Sequence, residues 1–330
     1  MTYDIITFGS GTRDVYLVGK NFKIVEEKKF FGGKGIAVSL GSKIEIDNIM
    51  FHTGGGATNA AVTFKKQGFK VAWCGMVGKD IGGSEILRQL KDLGIDTKFV
   101  FRTDKAPTNY SVILSSPQAP DKERTILVYR GASSELSSNM IPWSKLAADW
   151  FYLAPLSGKL AKLFPQLVNY GKTNGIKIAM NPGATQLNMK DDALKSILPK
   201  ADALFLNQEE AVLAARMPYR SDRGILKKLS NMCGGVIVVT KGPLGAVATE
   251  GKRMFTIPII KTKVVDRTGA GDSFCSGFLS EFIRTKNIEK SLQFGMANSA
   301  VNIAKWGAKE DLLERGEKFK KMPVAVSALR

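Results

Sequence analysis

The sequence predicts an α/β fold in which helices cover both faces of a mostly parallel sheet. Beyond about residue 144, short apolar segments alternate with helical ones, a pattern typical of a doubly covered parallel sheet. The predicted strands of this part are Trp150–Leu153, Lys177–Met180, Ala203–Leu206 and Val236–Val239. Polar or small residues follow each of them at once. Because the carboxyl ends of parallel strands meet at one edge of a sheet, we expect the chemistry at that edge.

The first predicted strand, Tyr3–Phe8, runs into the segment Gly9–Asp14. This segment does not match a phosphate-binding glycine loop, since it lacks the third glycine and no clear helix follows it. Asp14 is of more interest, because a carboxylate at the carboxyl edge of the sheet accepts hydrogen bonds from hydroxyl groups. The alternative is an ordinary turn aspartate.

Two segments depart from the strand–helix alternation, at about residues 14–51 and 99–130. Both contain short β-type pieces separated by glycines and charged residues, which indicates small antiparallel elements rather than further strand–helix units. We expect the two excursions to pair with each other and to form a lid over the carboxyl edge of the main sheet.

A run of three glycines, Gly54–Gly56, precedes a helix predicted over Asn59–Gln67. Glycines let a ligand lie against the backbone, and Asn59 offers both hydrogen-bond donors and acceptors at that place. A strand over Val71–Met76 and an amphipathic helix over Ser84–Leu93 follow. The glycine run and Asn59 are therefore candidates for binding a ligand.

The segment Lys263–Phe282 combines a β-branched run, the turn Gly269–Gly271 and an apolar-faced helix that begins near Asp272. The unpaired amides and partial positive charge of a helix N-terminus bind an anion. Asp272 lies beside that place and has the chemistry to take a proton from a hydroxyl that attacks a bound phosphate. The alternative is an aspartate that caps a helix after a flexible turn.

The composition narrows the class of protein. The 330 residues include 44% hydrophobic and 24% charged ones, an ordinary globular composition that fits two domains or one large α/β domain. The net charge of +18 is spread along the chain, so it predicts a basic surface with only non-specific attraction for nucleic acid or phosphorylated metabolites. Cys74, Cys233 and Cys275 lack metal-ligand spacing and are expected to be reduced. Without a secretion signal or a bilayer-spanning stretch, we expect a cytoplasmic protein.

Two segments carry a resemblance to a known family. GGGATNAAVTFKKQGFKVAWCGMVGKDIGG at Gly54–Gly83 and VVDRTGAGDSFCSGF at Val264–Phe278 resemble the two signatures of the ribokinase-like (PfkB) carbohydrate kinases. The FGGKG sequence at Phe31–Gly35 imitates the first signature, but Ala37 stands where its asparagine belongs. The resemblance implies one ribokinase-like domain over residues 1–330, a three-layer α/β/α sandwich with a small β-sheet lid. It further implies that the lid serves in some members as a homodimer interface.

The resemblance also implies the residues of the acceptor side. It implies Asp272 as the base that deprotonates the acceptor hydroxyl, and the amides of Gly269, Ala270 and Gly271 as an anion hole for the transferred phosphoryl group. The sugar hydroxyls would be bound by Asp14, Gly55 and Asn59.

On the nucleotide side, the resemblance implies ATP and magnesium as cofactors, with potassium as a further one. The residues implied to bind the nucleotide are Asn207, Glu210, Thr240, Gly242, Gly245 and Asn298. Glu210 would hold magnesium through water, and Asp266 would hold a monovalent cation. An asparagine followed three residues later by glutamate is also the pattern of a helix cap, which is the alternative for Asn207 and Glu210.

Several alternatives stay open at this point. Arg267 stands where the family commonly has threonine, so its guanidinium either competes with potassium near Asp266 or points to solvent. We expect a free sugar or sugar acid as acceptor and keep a nucleoside as the second choice, since Asn109, Tyr110 and Tyr129 suit either pocket. A non-catalytic protein associated with nucleic acid is the remote alternative, motivated by the net charge alone.

Overall fold

The computed structural model describes residues 2–30, 33–119, 123–189 and 191–329, so FGGKG lies partly outside the described residues. Its strands are β1 (Tyr3–Phe8), β2 (Thr12–Val18), β3 (Lys23–Glu26), β4 (Lys34–Ala37), β5 (Asn48–Gly54), β6 (Val71–Gly78), β7 (Asp96–Thr103), β8 (Asn109–Ser115), β9 (Arg124–Tyr129), β10 (Ala148–Leu153), β11 (Lys177–Met180), β12 (Ala203–Asn207), β13 (Val236–Thr240), β14 (Ala246–Thr249), β15 (Arg253–Ile257) and β16 (Ala325–Ala328). Its helices are α1 (Gly56–Lys66), α2 (Ile81–Asp92), α3 (Gly158–Ala161), α4 (Phe164–Thr173), α5 (Ala184–Leu187), α6 (Asp191–Ile197), α7 (Gln208–Ala215), α8 (Asp222–Ser230), α9 (Ala270–Thr285) and α10 (Ile288–Asn302).

The large sheet confirms the predicted fold class. Over the described residues its order is β16-β15-β14-β13-β12-β11-β10-β1-β6-β7. The neighbouring strands of the part β13-β12-β11-β10-β1-β6-β7 pair in parallel. At the β13 edge, β14, β15 and β16 extend the sheet with antiparallel pairs. The sequence pattern therefore predicted the parallel part of the sheet correctly.

Hydrophobic cores lie on both faces of this sheet. In β10, Trp150 and Tyr152 point into the core shared with α1, α2, α9 and α10, whereas Phe151 and Leu153 point into the core shared with α3 to α8. Successive residues of a strand face opposite sides, so a strand covered on both faces is apolar throughout. This explains the short continuous apolar runs in the sequence.

A smaller sheet stands beside the large one and has the order β5-β2-β8-β9 in the described chain. The two excursions meet in it, because β2 pairs in parallel with β8. One boundary is wrong: β7 belongs to the large sheet, so the second excursion begins after Thr103 and not at Phe99. The reason is that Phe99 and Val100 pack into opposite cores, as side chains of the large sheet do.

The register of the small sheet defines two faces. Directly paired residues lie on the same side, so Asp14, Tyr16, Ser111 and Arg124 share what we call the inner face of the lid. The outer face carries mostly apolar side chains, namely Val15, Leu17, Ile49, Phe51, Tyr110, Val112, Leu127 and Tyr129. The inner face is the one turned towards the large sheet.

The chain reverses its direction of winding beside β1. After β1 the chain adds β6 and β7 on one side, and it later adds β10 to β13 on the other. Ligands of open α/β sheets bind at the carboxyl ends of the strands next to such a reversal. No helix in the described ranges has the length and apolarity needed to cross a membrane.

Candidate active site

The N-terminus of α9 forms one wall of the candidate site. Gly269 caps this helix with φ of 80°, a backbone conformation that favours glycine, and a Cβ there would overlap Ala308. Within the described chain, the amides of Gly269 and Gly271 donate to no protein group, whereas the amide of Ala270 donates to the carbonyl of Arg267 at 3.3 Å. Two of the three amides predicted for the anion hole are thus free for a ligand.

Asp272 lies in the first turn of α9 and is half-buried. The Asn59 side chain on α1 donates to its Oδ2 at 2.8 Å, and Gly56 leaves room for its Oδ1. Burial raises the pKa of Asp272, while the Asn59 hydrogen bond and the charge of Lys309 lower it. Asn59 Oδ1 is buried and has no hydrogen-bond partner among the residues of the described ranges, so it can accept one from a ligand.

Asp14 comes close to this pair from the inner face of the lid. It is only 4% exposed, and a Cβ on Gly54 would overlap its carboxylate, which explains why this position of the glycine run is glycine. Burial raises the pKa of Asp14 to about 6, although a hydrogen bond from Ser111 and the charge of Lys309 act in the other direction. Gly55, the third predicted sugar contact, is the N-cap residue of α1.

Lys309 is a site residue that the sequence analysis missed. Its side chain is buried, and its ammonium donates to Thr53 Oγ1 at 2.8 Å and to Gln89 Oε1 at 3.4 Å. Burial lowers the pKa of Lys309 to about 7, against the opposing charges of Asp14, Asp272 and Glu310. It is one of 48 lysines and arginines and stands in a charged stretch, so no signal in the sequence distinguishes it.

A cavity of about 570 Å³ adjoins the other side of the α9 N-terminus. Thr240, Gly242 and Gly245 lie on its wall, together with Ala270 and Gly271. Much of the remaining wall is apolar and comprises Pro243, Ile259, Ile260, Val264, Phe274, Met296, Ala300 and Ile303. Largely apolar walls with a few polar groups at one end are typical of a pocket for a nucleotide-sized ligand.

Asn298 does not line this cavity, which contradicts the predicted nucleotide contact. The side chain is fully buried, donates to the Ser273 carbonyl at 2.8 Å and accepts from the Leu313 amide at 3.0 Å. Its amide group is therefore used inside the protein, where it joins α10 to α9 and to the following loop. Ser299 and Ala300, the next residues of α10, reach the cavity instead.

Asn207 and Glu210 form a reciprocal helix cap at the start of α7. Asn207 Oδ1 accepts from the Glu210 amide and Glu210 Oε2 accepts from the Asn207 amide, both at 2.8 Å. This cap uses only the Oε2 oxygen of the Glu210 carboxylate, so Oε1 takes no part in it. Burial raises the pKa of Glu210, the hydrogen bond from the Asn207 amide lowers it, and the charges of Asp272 and Glu209 raise it further, so Glu210 lies within electrostatic range of Asp272.

The described residues hold no cluster of three or more His, Cys, Asp or Glu side chains that could bind a metal. Magnesium at nucleotide sites takes one or two carboxylates and otherwise water and phosphate oxygens. The free Oε1 of Glu210 suits that donor set, so the residues present fit a magnesium ion that arrives with a nucleotide.

Asp266 is buried beneath the lid with a full set of donors. The amide and hydroxyl of Thr268 donate to its Oδ1 at 2.9 and 2.8 Å. The Tyr16 hydroxyl and the Gly307 amide donate to its Oδ2 at 2.7 and 3.3 Å. Arg124 Nε lies 3.7 Å from Oδ1. The four hydrogen bonds leave the Asp266 carboxylate no acceptor position for the potassium ion that the sequence predicted there.

Arg267, which the sequence left unexplained, does not simply point to solvent. Its guanidinium pairs with Glu123 at 3.1 Å, and its side chain also lies on the wall of the cavity.

Asn109 is a structural residue rather than a free pocket group. It donates to Ser133 at 2.6 Å and accepts from two backbone amides.

Comparison with known proteins places these features in a wider group. The profile of the pfkB family carbohydrate kinases matches residues 23–315. The chain is 27% identical to a ribokinase of Haemophilus influenzae over 84% of this chain and 89% of that protein. It is 26% identical to a nucleoside kinase of Methanocaldococcus jannaschii over 82% and 85%. The structure of Arabidopsis thaliana ribokinase complexed with ribose and ATP shares the fold, with a TM-score of 0.77, 20% identity and coverage of 96% and 97%.

We predict that Asn298→Ala lowers the free energy of unfolding by about 1–3 kcal/mol, because it leaves the buried Leu313 amide without its partner and removes a second hydrogen bond to the Ser273 carbonyl. The affinity for an ATP analogue should change by less than about twofold, since the side chain does not line the cavity. Urea unfolding and calorimetric titration measure the two quantities. A stable variant with weakened nucleotide binding would show that Asn298 contacts the nucleotide after all.

Proposed function

The chain belongs to the pfkB family of carbohydrate kinases and is a phosphotransferase; from that premise we propose that it transfers the γ-phosphoryl group of ATP to a hydroxyl of a free sugar or sugar acid. One observation carries the proposal. Asp272 is half-buried at the N-terminus of α9, between the nucleotide-sized cavity on one side and Asn59 and Asp14 on the other. The ribokinase of Haemophilus influenzae supports a sugar as acceptor.

In the proposed reaction, Asp272 accepts the proton of the acceptor hydroxyl. The hydroxyl oxygen bonds to the γ-phosphorus, the bond from that phosphorus to the β,γ-bridging oxygen breaks, and ADP leaves with the electron pair. The free amides of Gly269 and Gly271 and the positive end of α9 stabilise the charge on the transferred group. A carboxylate whose pKa burial has raised is a better proton acceptor than an exposed one.

The proposed sugar is held by hydrogen-bond acceptors of the protein, which cannot bond to one another. Asp14 and the unpaired Asn59 Oδ1 accept hydrogen bonds from sugar hydroxyls, and Gly55 lets the sugar lie against the backbone. Lys309 offsets part of the charge of Asp14 and Asp272 and thereby favours the ionised form of both carboxylates. The site thus combines hydroxyl recognition with a base in working form.

ATP occupies the cavity of about 570 Å³ in this proposal, with its base between the apolar walls and its phosphates at Gly271. Thr240, Gly242 and Gly245 contact the nucleotide from the end of β13. Asn207 orients Glu210, which would hold a magnesium ion through water, and that ion neutralises phosphate charge when bound. Three free, buried cysteines support a reducing cytoplasm as the place of work.

A nucleoside is the second candidate, and one row of residues favours it. Asp14, Ser111 and Val128 lie side by side across the inner face of the lid. Neighbouring strands are about 4.8 Å apart, so Val128 lies about 10 Å from Asp14, roughly the distance from a ribose to the far side of its base. Val128 is 57% exposed and could pack against a base. The nucleoside kinase of Methanocaldococcus jannaschii is consistent with this choice.

We further propose a homodimer formed through the outer face of the lid. Ile49, Phe51, Leu127 and Tyr129 lie on that face with about half of each side chain exposed. Contiguous exposed apolar side chains on a sheet are typical of an interaction surface. A second copy of the same face would bury them in an isologous contact.

Asp272→Asn should lower kcat by at least about two orders of magnitude, because it removes the base and keeps the shape of the side chain. The ATP analogue should still bind. Turnover is measured first across a panel of sugars, sugar acids, sugar phosphates and nucleosides, and then with the best acceptor. Glu281→Gln on the same helix is the matched control and should keep full activity. An active Asp272→Asn enzyme would contradict the assignment, and a panel without any acceptor would contradict the proposed function.

Lys309→Met should move the acid limb of the kcat/KM profile to higher pH by roughly one unit. The ammonium lowers the pKa values of Asp14 and Asp272, so its removal raises both and makes the carboxylates harder to ionise. Asp266 and His52, which act on Asp14, and Glu310, which acts on Lys309, remain in the variant as other titratable groups around the site. Lys309→Arg keeps the charge and should keep the limb in place. An unshifted limb in Lys309→Met would show that the lysine does not act on the base.

Val128→Ser should lower kcat/KM for a nucleoside about tenfold, since a lost apolar contact with the base costs about 1–2 kcal/mol. The value for a free sugar should stay within about twofold, because a sugar does not reach Val128. Leu127→Ser, the neighbouring change on the outer face, is the control and should affect neither acceptor. Equal losses for both acceptors would remove the argument for a nucleoside.

Phe51→Glu should convert the proposed dimer into a monomer, because it places two charges in an apolar contact around a twofold axis. Light scattering after gel filtration measures the mass. Ile81→Glu changes an exposed apolar residue outside the lid and should leave the dimer intact. A monomeric wild-type protein at micromolar concentration would refute the dimer.

A further inference from the structure

We propose that two side chains of the lid, Arg124 and Tyr16, take the place of a monovalent cation at Asp266, so that turnover does not depend on potassium. The inference rests on the proposed kinase function and concerns the regulation of the same site. It departs from the potassium site that the sequence predicted. Three observations carry it: the hydrogen bonds of Asp266, the packing that fixes Tyr16 and the position of the Arg124 charge.

The first observation is that Asp266 has no lone pair to offer. An ionised carboxylate has about four acceptor positions on its two oxygens. Thr268 fills two of them through its amide and hydroxyl, and Tyr16 and the Gly307 amide fill the other two. The carboxylate is 1% exposed, so water cannot exchange with these donors easily. A cation could bind Asp266 only after one of the donors had left.

The second observation is that Tyr16 is fixed in place. Its side chain is fully buried, and its ring meets the rings of His52 and Trp306 edge-on, each at 5.5 Å between centroids. A rotation of this ring would leave its hydroxyl and the Asp266 oxygen buried without partners, which costs about 1–3 kcal/mol or more for a charged acceptor. The packing therefore holds the donor at the position that a cation would need.

The third observation is that the protein supplies the positive charge itself. Arg124 Nε lies 3.7 Å from Asp266 Oδ1 and donates to the Thr268 hydroxyl at 3.1 Å. The Arg124 side chain is only 19% exposed, so solvent screens this pair less than it would screen a surface pair. An arginine is always charged, and it therefore neutralises Asp266 at every working pH and salt composition.

These contacts also connect the lid to the anion hole. Thr268 directly precedes Gly269, the residue that caps α9, so the Arg124 hydrogen bond acts on the start of the phosphate-binding turn. The ion pair of Arg267 with Glu123 makes the same connection one residue earlier in each segment. Arg124 is thus a positioning residue, whose contacts form when the lid lies over the turn.

The test compares thermal unfolding in potassium chloride with that in tetramethylammonium chloride at equal ionic strength, for wild type, Arg124→Met, Tyr16→Phe and the double variant. The wild-type Tm should be the same in both salts, because Asp266 cannot bind the ion. The double variant frees one acceptor position and removes the competing charge, so potassium alone should raise its Tm by mass action. A wild-type Tm that potassium raises and tetramethylammonium does not would overturn the proposal, as would a double variant that folds and ignores potassium.

Kinetics give a second readout on the acceptor found by the panel. Wild-type kcat should differ by less than about twofold between the two salts, and Arg124→Met should lower kcat about tenfold, since it leaves an uncompensated buried charge beside the anion hole. Arg124→Lys should recover most of the loss, and Arg130→Met, at an exposed arginine of the lid, is the control. Strong potassium activation of the wild type would overturn the proposal even if the variants fail to fold.

The two hypotheses fail in different ways. The unfolding experiment needs no acceptor, so it decides about potassium even if no compound of the panel is phosphorylated. Conversely, an inactive Asp272→Asn enzyme supports the kinase assignment whatever the salt does.

Discussion

Three aspartates lie buried or half-buried in one small region, and the polar architecture of the site follows from the need to compensate them. Asp272 receives the Asn59 amide and the nearby charge of Lys309. Asp266 receives four hydrogen bonds and the charge of Arg124. Asp14 receives a hydrogen bond from Ser111 and the charge of Lys309, although burial still raises its pKa. The carboxylates that face the ligands thus keep unused acceptor capacity, whereas the one behind the turn has none.

One short segment after α10 serves all three of these aspartates. Gly307 donates its amide to Asp266. Lys309 interacts electrostatically with Asp14 and Asp272, and Thr53 and Gln89 hold its ammonium. Asn298 connects this segment to α9, because its side chain donates to the Ser273 carbonyl in the first turn of α9 and accepts from the Leu313 amide. A substitution in this segment therefore alters the base, the acceptor site and the lid contact together.

The sequence predicted what is local and missed what is assembled over long distances. The alternation of apolar strands and helices predicted the parallel sheet, and the glycine turn before an apolar-faced helix predicted the start of α9. Lys309, Tyr16 and Arg124 act through contacts with residues far away in the chain, and no pattern around any of them indicates a partner. Asn298 shows the converse error: a polar residue near a ligand pocket was assigned to the ligand, although two buried backbone groups use it. The cap of Asn207 and Glu210 shows that a structural role and a proposed functional one can share the same residues.

The parallel pairing of β2 with β8 has a consequence for the order in which the molecule is made. The chain between β2 and β8 includes β6, α2 and β7. Of these, β6 and β7 are strands of the large sheet. Pairings between distant segments require the closure of a long loop and form slowly. During synthesis on the ribosome, the acceptor edge and the first excursion emerge well before the strand that completes the lid. The inner face of β2, including Asp14 and Tyr16, therefore lacks its neighbour from β8 until Asn109–Ser115 have been made, and Asp266 is translated much later still.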